Sequence, residues 1–223
     1  MGVLTDELRA RLYNLGTTNL SDAMDAVCGF TGACYGIAPL YESCKKIVGE
    51  AVTQRFIPTD HLPKDKHGGM NTIAEAAPGS VIVVDGGGDM QMSTCGGIAA
   101  TSCAMKGIAG WVSDGVVRDV DEIMALNFPM YCKGRTIPTT RGRYMEATPN
   151  QPVRIGGALC RPGDVVVADQ SGVIILPVEW LEEIVVKAEE IAKKEDEMIA
   201  KIKAGANLDK VDKESGYENM LKK

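Results

Sequence analysis

Between Ser80 and Asp85 the chain reads Val81-Ile82-Val83-Val84, an unbroken run of β-branched residues. A strand with one wet face alternates apolar and polar side chains, so a short run without alternation reads as a strand covered on both faces. Ile108–Val112 is a second such run. A small-residue helix, Ile98–Lys106, lies between them, and Gly96-Gly97 opens it. A helix from Asp119 to Leu126 follows, and Pro129–Cys132 should return to the sheet. Upstream, residues 5–15 form an amphipathic pattern with Leu8, Leu12 and Leu15 on one stripe. Thr18–Val27 reads as a short helix and Lys46–Phe56 as a strand. Asn71–Ala77 reads as a helix that Pro78-Gly79 stops.

The last third changes character. Val153–Ile155, Ala158–Cys160, Asp164–Ala168 and Val173–Leu176 are short strands separated by Gly-Gly, Pro-Gly and Ser-Gly turns. Pro177–Ala204 then reads as a long charged helix, taken as a solvated face before an arm on a neighbouring subunit, and a polar helical tail ends the chain. Alternating helices and strands followed by clustered strands give an α/β fold with a mixed central sheet and a long C-terminal helix. The expected organisation is one domain over 1–223, with N-terminal helices in 1–30, an α/β core in 31–177 and a C-terminal helical arm in 178–223.

Composition excludes several classes. A net charge of −6 argues against a general nucleic-acid binder, which needs surplus Lys and Arg to neutralise phosphates. No apolar run approaches the length of a membrane span. Seven cysteines without a CxxC pair, and an N-terminus lacking a basic and an apolar region, read as reduced thiols in a cytoplasm.

The stretch richest in chemistry is Cys95-Gly96-Gly97-Ile98-Ala99 together with Asp114-Gly115-Val116-Val117-Arg118-Asp119-Val120-Asp121-Glu122. Helix-opening glycines leave backbone N–H groups free to face an anion, with no Cβ in the way. The guanidinium of Arg118 matches a carboxylate in bidentate fashion. Asp119 and Glu122 stand at i and i+3, so both carboxylates can face one side and suit Mg²⁺ or Mn²⁺. Plainer readings compete: Asp119 and Glu122 as an acidic helix cap, Arg118–Asp119 as a surface ion pair, Gly96-Gly97 as a turn.

Other candidates have bland first readings. Asp85 and Asp89 flank three glycines, and Asp89 is expected in an Asx turn. His61 and His67 sit in a polar loop, read as surface before zinc site, with a lid over the pocket as an alternative. Cys95 reads as a packing residue rather than a nucleophile. Arg135, Arg141 and Arg143 read as solvated charge.

The same stretch resembles the signature of the RraA-like family, which includes 4-hydroxy-4-methyl-2-oxoglutarate/4-carboxy-4-hydroxy-2-oxoadipate aldolases and the regulator of ribonuclease activity A. Gly97, residues 98–117, Arg118-Asp119, Val120-Asp121 and Glu122 fit the family motif in spacing and identity. Ser21-Asp22-Ala23, Val84-Asp85-Gly86-Gly87-Gly88-Asp89 and Arg161-Pro162-Gly163-Asp164 through Ala168-Asp169-Gln170-Ser171-Gly172-Val173 agree in order. The resemblance implies a swivelling β/β/α domain, assembled as a trimer or a pair of trimers with sites at subunit interfaces. It also implies that the backbone around Gly96, Gly97, Ile98 and Ala99 holds a small 2-oxo acid. Arg118 would bind its carboxylate and keto region, Asp119 the divalent metal, and Glu122 the metal directly or through water. One departure stands out: the aldolases carry Asp where this chain has Gly97.

These readings imply a divalent-metal lyase that cleaves a 4-hydroxy-2-oxo acid to pyruvate, or decarboxylates oxaloacetate, with a metal-activated water moving the proton. The alternative is a non-catalytic protein that binds and regulates a ribonuclease. A methyltransferase reading, carried by old family names, finds no nucleoside-binding glycine loop after a first strand.

Overall fold

The computed structural model describes residues 4–59 and 70–216. Two helices, α1 (Asp6–Tyr13) and α2 (Thr17–Cys28), open the chain. The Thr5 hydroxyl caps α1 by accepting the Leu8 N–H at 3.2 Å, and Asn19 returns its side-chain oxygen to the Gly16 N–H at the start of α2. There follow β1 (Ala38–Pro39), β2 (Ile47–Pro58), α3 (Met70–Glu75), β3 (Val81–Asp85), β4 (Ser93–Cys95), α4 (Gly97–Lys106), β5 (Gly110–Ser113) and β6 (Val116–Val117). Then come α5 (Val120–Ala125), β7 (Met130–Cys132), β8 (Gly134–Arg135), β9 (Tyr144–Glu146), β10 (Val153–Ile155), β11 (Ala158–Cys160), β12 (Val165–Asp169) and β13 (Gly172–Leu176). The helices α6 (Leu181–Lys203) and α7 (Leu208–Ser215) close the described chain.

The main sheet is mixed, in the order β1-β7-β5-β3-β2-β12-β13, with β9 on the far end of β2. Strands β2, β3, β5 and β7 run parallel, while β1, β9 and β12 pair antiparallel to their neighbours and β13 to β12. Every residue of β3 is buried, as its unbroken apolar run requires. The long strand β2 carries the sheet across its two halves: Ile47–Glu50 pair with β12 and Ala51–Arg55 with β3.

Two cores pack against the sheet. The larger takes in both faces of the β3–β5 region, with Ile82, Val84 and Trp111 on one face and Ile47, Val83 and Val112 on the other, and reaches α4 and the hairpin β10–β11. In the smaller, Val48, Val165, Val167, Ile174 and Leu176 meet Leu12, Leu20 and Met24 of α1 and α2. Each such side chain contributes roughly 1.5–3 kcal/mol on burial. The reading of the C-terminal helix as a solvated face is corrected here. Leu181, Ile184, Val185, Ala188 and Ile191 repeat at helical spacing and bury the first half of α6 in this second core. Arg11 ties α1 to α6 through Glu189 (2.7 Å) and Glu182 (2.6 Å).

A small parallel sheet, β4-β6-β8, stands apart from the main one and was not anticipated. The expected helix at Asp119 is also shorter than the sequence pattern suggests, because Asp119 has left-handed backbone angles (φ 55°, ψ 44°) and the helix begins at Val120. Among the described residues no helix is long and apolar enough to cross a membrane, and no disulfide joins any of the seven cysteines.

Candidate active site

The small sheet is what assembles the site. Strand β4 runs directly into the start of α4, and β6 runs directly into Arg118. The two strands pair in parallel, and the Arg118 N–H donates to the Cys95 carbonyl at 2.9 Å. Gly96 and Gly97 are thereby set against Arg118 and Asp119, which lie far along the chain.

The Asp119 carboxylate does not cap its own helix. Its left-handed backbone turns the side chain toward α4, where Oδ2 accepts the Gly97 N–H at 2.9 Å. The Arg118 Nε lies 3.3 Å from the same oxygen. Glu122, one turn into α5, reaches back to the same place. A Cβ at Gly97 would stand 1.7 Å from Glu122 Oε2, and one at Gly96 would stand 2.7 Å from Asp119 Oδ2. Both glycines therefore permit the close approach of the two carboxylates.

The sequence-predicted residues Gly96, Gly97, Arg118, Asp119 and Glu122 are thus brought together. The expected use of the helix start is modified, since the Gly97 N–H is already taken by Asp119. The N–H groups of Ile98 and Ala99, in the first turn of α4, find no backbone or side-chain acceptor among the described residues. Ile98 itself is 73% exposed. Thr101, not singled out from sequence, fastens this turn by donating its hydroxyl to the Gly97 carbonyl at 2.8 Å.

Asp119 Oδ1 and both oxygens of Glu122 have no hydrogen-bond or ion-pair partner among the described residues. Two hard oxygen donors side by side on an open face fit a divalent cation that keeps waters and takes further oxygens from substrate. Among the described residues no group of three or more His, Cys, Asp or Glu has a metal-holding arrangement. The candidate oxygen donors at this place are the carboxylate pair of Asp119 and Glu122.

The remaining candidates resolve plainly. Asp89 Oδ1 accepts the Gln91 N–H at 2.7 Å, an Asx turn, and its other oxygen takes the Tyr144 hydroxyl. Asp85 accepts the Gly87 N–H at 3.0 Å and pairs with Arg55. Cys95 is buried, and burial pushes its thiol well above the ordinary range, as a packing residue requires. Arg135, Arg141 and Arg143 are exposed. His61, His67 and the loop that carries them lie outside the described residues.

The family profile described as RraA-like (Aldolase/RraA) matches residues 17–175. The chain belongs to the RraA-like family. A relative from Halalkalibacterium halodurans named "Putative 4-hydroxy-4-methyl-2-oxoglutarate aldolase" is 36% identical over 172 residues, 77% of this chain and 77% of that one. Protein DlpA of Legionella pneumophila is 32% identical over 211 residues, 95% of this chain; this chain spans only 34% of its length. Among solved structures, the Streptomyces coelicolor RraAS2, titled an unusual member of the RNase ES inhibitor RraA protein family, superposes with a TM-score of 0.81 at 27% identity. That match covers 88% of this chain and 98% of the other. The α/β fold with a mixed sheet and a long C-terminal helix is the RraA fold.

Proposed function

We propose that this RraA-like chain is a divalent-metal lyase that cleaves a 4-hydroxy-2-oxo acid to pyruvate and a second carbonyl product. Oxaloacetate decarboxylation is the companion reaction, because either bond cleavage leaves the same carbanion next to a keto group. The observation that carries this reading is the convergence of Asp119 and Glu122 on the glycines that open α4, with Arg118 beside them. The name of the Halalkalibacterium relative supports it.

In this reading Asp119 and Glu122 hold Mg²⁺ or Mn²⁺, which when bound polarises the substrate's keto oxygen. Arg118 turns its Nε to Asp119 and keeps its terminal nitrogens for the substrate carboxylate. The N–H groups of Ile98 and Ala99 supply further donors for that anion. The Gly97 N–H and Arg118 Nε fix Asp119 Oδ2, leaving Oδ1 as its free oxygen. The apolar side chains of Ile98, at the site end of α4, and Met105, at its far end, 73% and 83% exposed, support assembly into a homotrimer or hexamer.

A second reading, a protein that binds and regulates a ribonuclease without catalysis, has the Streptomyces neighbour behind it. The two separate in one assay: pyruvate release from 4-hydroxy-4-methyl-2-oxoglutarate and from oxaloacetate, with Mg²⁺ or Mn²⁺ and again with excess chelator. Chelator-sensitive turnover is the expected result. Absence of turnover of both compounds by the folded, metal-supplied protein overturns the lyase.

A further inference from the structure

A second polar crevice, of about 500 Å³, shares no residue with the carboxylate pair. It opens where the parallel strands end. Arg55 and Asp85 form the last pair of the β2–β3 ladder, Asp114 directly follows β5, and Lys133 directly follows β7. Crevices outside the carboxyl ends of parallel strands are the usual ligand sites of open α/β sheets. Arg154 of β10 and the ring of Tyr35 complete the walls.

The donors here are only partly used. The Lys133 ammonium has no hydrogen-bond or ion-pair partner among the described residues, and it stands 3.4 Å from where a Cβ of Gly88 would be. Arg154 spends one N–H on the Gly157 carbonyl at 2.8 Å. Arg55 turns its Nε to Asp85 at 3.4 Å, and its terminal nitrogens have no hydrogen-bond or ion-pair partner among the described residues. The acids have a different standing. Asp114 is buried and accepts the Gly86 N–H at 2.7 Å, and Asp85 accepts the Gly87 N–H at 3.0 Å. A carboxylate oxygen takes more than one hydrogen bond, so both acids retain acceptor capacity toward the crevice.

Each part selects a feature of the ligand. Unpaired Lys and Arg donors beside a cavity call for an oxyanion. Fixed carboxylate acceptors repel a bare anion unless it also carries hydroxyl donors. Tyr35, 67% exposed, offers an aromatic face for aliphatic C–H groups. The volume lies within the range of small-molecule sites. We propose that this crevice binds a polyhydroxylated carboxylate of the sugar-acid class, with Lys133 and Arg154 on its carboxylate and Asp85 and Asp114 on its hydroxyls.

The test is calorimetric titration of the full chain with D-gluconate, with hexanoate (carboxylate without hydroxyls) and D-glucose (hydroxyls without carboxylate) as matched probes. Gluconate is expected to bind and the other two to fail. Lys133→Met keeps the aliphatic stem and removes the charge, and should weaken gluconate binding about tenfold or more, the loss of one charge-assisted hydrogen bond. Arg154→Gln, on the exposed face of β10, should weaken it similarly and guards against misfolding of the first variant. Arg118→Ala should leave gluconate binding unchanged, which keeps this site distinct from the lyase site. Absence of gluconate binding, equal binding of hexanoate or glucose, or loss in Arg118→Ala with retention in Lys133→Met overturns the assignment.

Discussion

Glu122 Oε2 occupies the space that a side chain at position 97 would need, 1.7 Å from where a Cβ on Gly97 would lie. An acid on α5 thus fills the volume that, in the aldolases the chain resembles, belongs to an Asp at the start of α4. A side chain at 97 and Glu122 in this orientation compete for the same space, which ties the glycine at 97 to the placement of the acid at 122. Glu122 is exposed and flexible at its far end, which determines what happens when that tie is broken.

Gly97→Ala should displace Glu122 rather than unfold the chain, because the obstructing atoms belong to a side chain that can swing into solvent. A stability change within about 1 kcal/mol is expected by urea titration, alongside a turnover loss of roughly 10–100-fold from disturbance of the proposed metal shell. Gly97→Ala with wild-type turnover would remove Glu122 from the site.

Arg118→Ala should lower turnover by at least about a hundredfold, the scale for losing an aimed donor at the reacting group. Arg118→Lys should not restore it, since an ammonium cannot present a planar fork to a carboxylate. Melting temperature should move little in both, because a half-exposed Arg118–Asp119 pair at 3.3 Å contributes below about 1 kcal/mol.

Asp119 separates fold from chemistry through its backbone. Its left-handed angles suit Asn nearly as well as Asp and suit β-branched residues poorly. Asp119→Asn should melt within about 3 °C of wild type yet bind Mn²⁺ more weakly in a direct titration. Asp119→Val should lose about 1–3 kcal/mol of stability from backbone strain as well. Unchanged Mn²⁺ binding in Asp119→Asn would take this residue out of the metal shell.

Much of this was legible in the sequence. The β3 run and the meander from Val153 to Leu176 carry local signals, whereas the pairing of Gly97 with Arg118-Asp119 came from the family resemblance. What escaped is physical in origin. Strands β4, β6 and β8 have two or three residues each, too few for any periodicity, yet they join the halves of the site. Asp119 looked like a helix cap because cap and left-handed residues share the same short polar side chains. The first half of α6 looked solvated because, over the whole helix, charged residues outnumber the single apolar stripe that buries that half. Lys133, Arg55 and Arg154 come from three separate strands or strand ends, and no sequence spacing announces their meeting.

Asp164 gives a pH-dependent test of the fold. Burial pushes its carboxyl up, against the opposing pull of the Arg161 N–H at 2.7 Å and the Val178 N–H. A raised folded value means the folded chain binds the proton more tightly than the unfolded one. The stabilising contribution is complete below the ordinary carboxylate range and is lost as pH rises through the raised value. Asp164→Asn cannot titrate and gives up one acceptor, at about 1 kcal/mol. Wild type should therefore exceed Asp164→Asn most at acid pH, with the gap narrowing toward neutrality in parallel urea titrations. A gap that widens with rising pH would contradict the burial argument.

Met105 tests the assembly independently of the chemistry. It is 83% exposed on α4, on the same helix as Ile98, so a charge there costs the isolated chain almost nothing. In an assembly that covers this face, the same charge would be stripped of water without a partner, at several kcal/mol. Light scattering behind size exclusion should give a trimer or hexamer for wild type and a smaller species for Met105→Glu with an unchanged circular dichroism spectrum. If Met105→Glu keeps the wild-type mass, α4 is not the contact face; if wild type is monomeric, the site must be complete within one chain.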